Sequence, residues 1–589
     1  MFNLKWVLLD SIKDCKNLRI FKKIHAQLVT SGLVYDDFVT NKVVEFFANF
    51  VEFGDYACDY LKQVNTRLGS FPFNSLINGY AGGEFPQMAV SVYRRMARDG
   101  FVPDLFTFPV LFKACSNFSG SREGRQVHGV VIKLGILSDL FVQNSLVRCY
   151  GACEDFSCAG KVFDEMLVRD VVSWNSLISG FMKAGRFDDA ISLFFRMDVE
   201  PSVATLVSVL AACARKGDLY MGKGIHGMIQ RRFKLDLVLG NAMLDMYAKN
   251  GCLYEAKNIF DELPTRDIVS WTIMITGLVQ SNHPKESLEL FWMMRNLGIS
   301  PDGIILTSVL SACASLGTLK YGTWVHEYIN QRGIKWDIHI GTAIVDMYAK
   351  CGCVEMARQI FNSMPQRNTF TWNALLCGLA MHGLAHEALY LFEVMIISGV
   401  KTNEVTFLAI LTACCHSGLV DEGRKYFDNM SSQRYNLSPK LEHYGCMIDL
   451  FCRAGLLEEA VELVRTMPMK PDVLIWGVLL NACKTVGNVE LSQHIQEYIL
   501  ELDPEDSGVF VLLSNISATN ERWSNVTRLR RLMKDRGVKK SPGSSVIEVD
   551  GKAHEFVAGD ISNLQTEEIY KVLTLINSVF HESHLMHPF

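Results

Sequence analysis

Proline is scarce in this chain of 589 residues, only 15 in all. No excess of positive charge offsets the acidic side chains, because Lys+Arg total 58 against Asp+Glu 63, a net charge of -5. With 49% hydrophobic residues and so little proline, the composition excludes a disordered tail protein, a collagen-like fibre and a small disulfide scaffold. The faintly acidic balance argues against a protein that clings to nucleic acid through bulk charge. Long apolar runs are missing as well. A long uncharged stretch, Thr369 to His386, is 18 residues and includes Asn373, His382 and His386. A membrane span needs about 20 predominantly apolar residues, so this stretch reads as a buried helix and turn, and no membrane partner is expected. The N-terminal stretch has basic residues but also Asp10 and Asp14, and lacks the Arg/Ser-rich, acid-poor character of a transit peptide. Also absent is any CxxC, so the 17 cysteines read as reduced thiols.

At about 100–200 residues per domain, the length suggests three to five ordinary domains. Internal repetition replaces that estimate. FNSLING from Phe73 returns as WNSLISG from Trp174, WTIMITG from Trp271 and WNALLCG from Trp372, with a worn copy, WGVLLNA, from Trp476. The steps are 101, 97, 101 and 104 residues. Between them an Ala-Cys pair and a later histidine recur (Cys115 with His128, Cys213 with His226, Cys313 with His326), as do MYAKNG from Met246 and MYAKCG from Met347. Each block divides into units near 35, 35 and 31 residues. The twelve between 70 and 472 begin at 70, 105, 140, 171, 203, 237, 268, 303, 338, 369, 404 and 441. Two degenerate units occupy about 5–36 and 37–69 within an N-terminal segment 1–69.

Each unit reads as two helices. Trp174, Leu177, Ile178 and Phe181 follow the i, i+3, i+4, i+7 spacing of one buried face, Lys183-Ala184-Gly185 breaks the helix, and Ala190, Ile191, Phe194 and Met197 form a second stripe. Such pairs cannot bury their apolar faces alone, whereas stacked copies share one core. The expected fold is therefore all-α, a right-handed α-solenoid of helix-turn-helix repeats.

Catalytic chemistry finds little support. Cys115, Cys213, Cys313, Cys414 and Cys483 each follow an alanine at one repeat phase. A nucleophile is needed once, whereas a packing residue is needed in every copy, so these are read as small buried thiols. Gly217 to Gly224 (GDLYMGKG) nearly matches a phosphate-binding loop, but Gly224 stands where a magnesium-binding Ser or Thr is required. It reads as an inter-helix turn. No metal site, cofactor or catalytic residue is expected.

The phrases VVSWNSLISGFMKAGRFDDAISLFFRM and LGNAMLDMYAKNGCLYEAKNIFDELPTRD closely resemble plant pentatricopeptide repeat proteins, and the 35/35/31 cycle resembles their PLS subclass of P, L and S motifs. The resemblance covers nearly the whole chain. It implies binding of single-stranded RNA, one base per repeat, through the fifth and last residues of each unit. In the P and S units these are Asn74/Asp104, Asn144/Asp170, Asn175/Ser202, Asn241/Asp267, Thr272/Asp302, Thr342/Asn368 and Asn373/Asn403. By the family's code they imply U, U, C, U, G, A and a pyrimidine. The L units carry Pro109/Asp139, Val207/Asp236 and Thr307/Asp337, which read weakly or not at all, and the target becomes U, any, U, C, any, U, G, any, A, pyrimidine. Apolar second residues, here Phe71, Val172, Val269 and Phe370, would sandwich the bases. An alternative remains open for each pair, since Asn and Asp are also ordinary helix caps.

Residues 473–540 resemble the family's E-type extension, and their end, Glu521 to Lys540, carries eight basic and two acidic residues. That basic stretch is either a solvated face or a contact with RNA or a partner. KSPGSSVIEVDGKAHEFVAGD, in the tail 541–589, resembles the box that leads into a cytidine deaminase domain, with Val546 in place of the usual Trp and Asn563-Leu564 in place of His-Pro. The chain has no HxE, which a zinc deaminase requires. The resemblance thus implies a site-recognition factor for C-to-U editing of an organellar transcript, in mitochondrion or chloroplast. Its partners would be single-stranded RNA, a trans-acting cytidine deaminase and editing accessory proteins, with unit 441–472 about four nucleotides upstream of the edited base. Two other readings stand beside it: an RNA stabilisation, splicing or processing factor, and a protein-binding helical scaffold.

Overall fold

A computed structural model of the chain describes residues 2–13, 15, 17–48, 54–64, 70–486, 488–501, 507–519, 522–538, 544–549, 552–557 and 566–585. Glu521, Lys539, Lys540, Asn563 and Leu564 lie outside the described residues. Among those described there are 33 α-helices, one 3-10 helix and one two-stranded hairpin. They fall into two compact units, Met1–Gly277 and Leu278–Phe589.

In the first unit, the helices Phe71–Gly82, Thr107–Asn117, Leu140–Ala152, Val171–Lys183, Val203–Lys216 and Leu237–Lys249 pack in series, each against the next. A second helix follows each of them, as Phe187–Phe195 follows Val171–Lys183, and packs against its own partner. The second unit repeats the arrangement with Gly303–Leu316, Ile338–Lys350, Thr369–Met381, Glu404–Ser417, Leu441–Arg453 and Val473–Val486. The architecture is an all-α solenoid of helix pairs, and the estimate of several globular domains is replaced by it. The run 369–386 resolves into the helix Thr369–Met381 and the start of the next, Ala385–Ile397. No helix among the described residues is long and apolar enough to cross a membrane.

The recurring tryptophan phrase has a packing reason. Trp174, Trp271 and Trp372 stand edge-on to Phe163, Phe260 and Phe361 of the preceding unit, with centroids 4.8, 5.0 and 4.8 Å apart. Aromatic pairs favour this geometry because a positive ring edge meets a negative face. The glycine closing the phrase lets neighbouring backbones approach: a Cβ on Gly378 would lie 2.4 Å from the Cβ of Ala349. Cys115, Cys213, Cys313, Cys414 and Cys483 are all buried. Burial pushes the thiols of Cys213 and Cys483 up to about 11 and that of Cys414 to about 12.

The tail adds an element that the helical pattern does not announce. Ser544–Val549 and Lys552–Val557 pair antiparallel, Ser544 opposite Val557 and Val549 opposite Lys552. The helix Thr566–Leu585 follows and leaves Tyr570, Leu573 and Leu575 exposed.

Candidate nucleic-acid interface

The fifth residue of each unit lies in the first turn of its first helix, and the last residue sits at or just before the start of the next unit's first helix, Asp104 three residues ahead of Thr107–Asn117 and the others immediately before theirs. That places the two side chains together across the junction. In the first unit of the fold, Asn74 Nδ2 donates to Asp104 Oδ1 at 2.8 Å, Asn144 to Asp170 at 3.1 Å, Asn175 to Ser202 Oγ at 3.2 Å, and Asn241 to Asp267 at 3.1 Å. In the second, Asn373 Nδ2 donates to Asn403 Oδ1 at 3.0 Å. Ser202 meets Asn175 even though unit 171–202 is short. Thr342 and Asn368 meet through Thr371, whose Oγ1 lies 2.7 Å from Thr342 Oγ1 and 3.0 Å from Asn368 Oδ1. Thr272 belongs to the first unit, where its hydroxyl donates to the carbonyl of Ile268 at 2.7 Å. Asp302 belongs to the second, where it caps the helix Gly303–Leu316 by accepting from Ile305 N.

The alternatives of helix cap and pair member turn out to coexist. Asp170, Ser202, Asn368 and Asn403 each cap the following helix through a side-chain oxygen, in capping boxes with Ser173, Thr205, Thr371 and Thr406. The cap fixes the last residue, and the remaining valence takes the fifth. Burial draws the carboxyls of Asp104, Asp170 and Asp267 upward, but the bonds they accept, from Asn74, Asn144 and Asn241 among others, outweigh it and hold them below the usual carboxylate range. These carboxylates are therefore acceptors at neutral pH. In the L units, Asp139, Asp236 and Asp337 cap in the same way, but opposite Pro109, Val207 and Thr307. Thr307 spends its hydroxyl on the carbonyl of Ile304 at 2.8 Å.

A loop must be held still for this to work. Arg169, Arg266 and Arg367 immediately precede Asp170, Asp267 and Asn368. Each lies over the ring of Phe163, Phe260 or Phe361, 5.1, 4.8 and 4.8 Å from the centroid, and donates to that residue's carbonyl. One phenylalanine thereby ties the tryptophan of the next helix to the arginine that holds the pairing residue. The sequence alone did not single these arginines out, although one precedes three of the four S-unit termini, Pro471 standing before Asp472.

The exposed second-position residues extend beyond the four expected. Phe71, Val172, Val269 and Phe370 are exposed, between 48% and 69%. So are the second residues of other units, Phe106, Phe141, Val238, Ile304 and Val405. These large apolar side chains are held in water at one repeat phase, where folding does not favour them. In the second unit of the fold a groove of about 1030 Å³ has walls that include Thr342, Asn368, Phe370, Asn373 and Val405. Lys350, paired with Asp346 at 2.9 Å, lines it too.

Of the glycine-rich stretch, only Gly217 and Asp218 form the inter-helix turn, and Leu219 to Gly224 open the helix Leu219–Arg232. Gly217, at φ +79°, ends the helix Val203–Lys216, Asp218 caps the next, and Lys223 pairs with Glu255 at 2.9 Å. No group of three or more His, Cys, Asp or Glu among the described residues is placed to hold a metal ion. On the helix Trp523–Asp535, Arg528, Arg530, Arg531 and Lys534 are exposed while Val526 and Leu529 are buried.

Comparison with known proteins places this geometry. The PPR repeat model matches residues 71–101, 144–171, 241–268, 269–299, 342–369, 405–435 and 435–468, the PPR repeat family model matches 169–215 and 367–416, and the E motif matches 486–548. The chain is 55% identical to the pentatricopeptide repeat-containing protein At4g38010 of Arabidopsis thaliana, over 92% of this chain and 98% of that one. It is 38% identical to two others from the same plant, At2g22410, mitochondrial, and At1g08070, chloroplastic, each aligned over 96% of this chain and over 88% and 81% of theirs. The solved structure of the pentatricopeptide repeat protein PPR10 from maize shares the fold with a TM-score of 0.53 at 15% identity, covering 91% of this chain and 94% of that one. A second PPR10 structure, in complex with an 18-nt psaJ RNA element, matches with a TM-score of 0.50 at 16% identity, over 90% and 92%. The chain belongs to the pentatricopeptide repeat family and carries its E motif.

Proposed function

We propose that this chain is a sequence-specific single-stranded RNA-binding protein that marks a cytidine for C-to-U editing in an organellar transcript, with the deaminase supplied in trans. The observation that carries the reading is the in-phase recurrence of an Asn or Thr beside a capping Asp, Asn or Ser, flanked by exposed apolar side chains. Exposed phenylalanines and valines offer stacking surfaces that accept any base, and stacking is worth about 1–3 kcal/mol per base. The polar pair then selects. An asparagine tied through Nδ2 keeps one N–H and a lone pair for a base edge. An ionised Asp beside it adds only acceptors and suits bases with a ring N–H, U and G. Asn or Ser adds a donor and suits C and A.

Threonine at the fifth position acts differently. Thr272 and Thr342 give their protons to the carbonyls of Ile268 and Ile338, so they face a base with lone pairs only. Their shorter side chains leave room for a purine. The expected target is U, any, U, C, any, U, G, any, A, pyrimidine. The E motif and the relatives named for mitochondrion and chloroplast support an editing role in an organelle.

The test is loss of the gene followed by transcriptome-wide comparison of editing. One or a few cytidines should stay unedited while transcript levels hold, each about four nucleotides downstream of the base facing unit 441–472, which lies two positions beyond a match to the ten-base target. An unchanged editing profile overturns the editing role.

A further inference from the structure

Every asparagine at a fifth position is followed by a hydroxyl at the third position of the next unit: Thr107 after Asn74, Ser173 after Asn144, Thr205 after Asn175, Ser270 after Asn241 and Thr406 after Asn373. After the first three L units the same position holds Val142, Leu239 or Ile340, and after 404–440 it holds His443. All of these third-position side chains are buried, so contact with water does not explain the difference.

The hydrogen bonds do. Thr107, Thr205, Ser270 and Thr406 place their hydroxyl oxygens 2.7, 2.7, 2.7 and 2.8 Å from the Oδ1 of Asn74, Asn175, Asn241 and Asn373. A hydroxyl has one proton to donate. At Thr406, Oγ1 accepts from the Asn403 N–H at 3.1 Å and lies 3.0 Å from Asn403 Oδ1. Asn403 Oδ1 already accepts from Asn373 Nδ2 and Thr406 N, whereas Asn373 Oδ1 depends on this hydroxyl. The proton therefore goes to Asn373. Turning the asparagine amide over would then set oxygen against oxygen at residue 403 and take the acceptor away from the hydroxyl. Unit 140–170 shows what happens otherwise: Ser173 directs its hydroxyl at Asp170 at 2.8 Å, and Asn144 Oδ1 is buried without a partner.

We infer that the third-position hydroxyl of the following unit is a positioning residue that locks the fifth-position amide in one orientation, and with it the donor and acceptor that the asparagine shows to a base. The base choice of a unit is thus set by three residues, the third contributed by its neighbour. The inference rests on the proposed base-reading role of the asparagines.

Thr406 is the place to test it, with the full chain and RNAs that match the target but carry each of the four bases at the last position. Wild type should favour pyrimidines there. Thr406→Val, which keeps the shape and removes the donor, should lower that preference about three- to tenfold, the loss of a single hydrogen bond. Its U-over-C preference at the Asn241 position should be unchanged, and Thr406→Ser should behave as wild type. A purely structural role would instead weaken every RNA alike. The same substitutions at Thr205, read against the base facing Asn175, supply a second site should the first variant melt early. If wild type discriminates and both valine variants discriminate equally well, the inference is overturned. If wild type shows no preference at these positions, the base-reading role itself fails, a separately recognisable result.

Discussion

Replacing Asp267 with asparagine alters one end of a hydrogen-bonded group and little else. Asp267 Oδ1 accepts from Asn241 Nδ2 at 3.1 Å and from Ser270 N at 2.9 Å, and Ser270 Oγ lies 2.9 Å from it. The chain already shows that asparagine fits the same place: Asn403 Oδ1 accepts from Asn373 Nδ2 at 3.0 Å and Thr406 N at 3.1 Å, with Thr406 Oγ1 3.0 Å away. Asn and Asp are also nearly equal as helix caps. The folding cost of Asp267→Asn should thus be well under about 1 kcal/mol. What changes is the outer atom, an acceptor oxygen in Asp and a donor NH₂ in Asn. A well-placed polar contact discriminates between bases by about 1–3 kcal/mol. The unit 237–267 should therefore lose its preference for U and read either pyrimidine, as the Asn373/Asn403 pair is expected to, with the U-to-C ratio of affinities falling about 5- to 150-fold. Fluorescence anisotropy with two RNAs differing only at the sixth target base reads this directly, and thermal melting checks the fold. An unchanged ratio in a variant that melts like wild type would refute the assignment of Asp267 as a reading residue.

Other expectations follow from different parts of the structure. Phe370→Ala should cost about 1–3 kcal/mol of RNA affinity and leave the melting temperature unmoved, because the ring is 69% exposed; equal losses in both would make Phe370 a core residue. Trp271→Ala should lower stability by about 3–5 kcal/mol, since the ring is 1% exposed and packs on Phe260, and chemical denaturation measures it. Burial holds His128, His226 and His326 below their ordinary value of 6.5. The unfolded chain then binds more protons than the folded one as pH drops below about 6.5, so stability should decline from there, and melting temperatures at about pH 7.5 and 5.5 test the sign. His326→Gln should flatten that slope.

Much of this architecture is legible in the sequence because it repeats. Trp174, Trp271 and Trp372 keep their phase since each must meet a phenylalanine of the unit before, and Gly378 keeps its place since a side chain would strike Ala349. What escaped reading depends on loop and cross-repeat contacts rather than on helical periodicity. Arg266 holds the loop before Asp267 through the Phe260 carbonyl and ring, and Thr406 serves Asn373 from another repeat. Neither role shows in a helical pattern. The cap and the pair looked like rival explanations of Asp170 because a sequence assigns one role per residue. Folded, Asp170 Oδ1 serves Ser173 and Asn144 together. The hairpin at Ser544–Val549 and Lys552–Val557 went unread because a short run of β-branched residues after a helical array carries no repeat signal.

The central claim is that paired side chains, and not bulk charge, choose the RNA. The most direct measurement is the affinity of the purified full chain for the ten-base target compared with a permuted RNA of the same composition, at physiological salt. Phosphate attraction cannot distinguish the two, because both carry the same charges. The account predicts that the target binds at least about a hundredfold more tightly, as a few base contacts of about 1–3 kcal/mol each require. Equal affinity for both RNAs would contradict it.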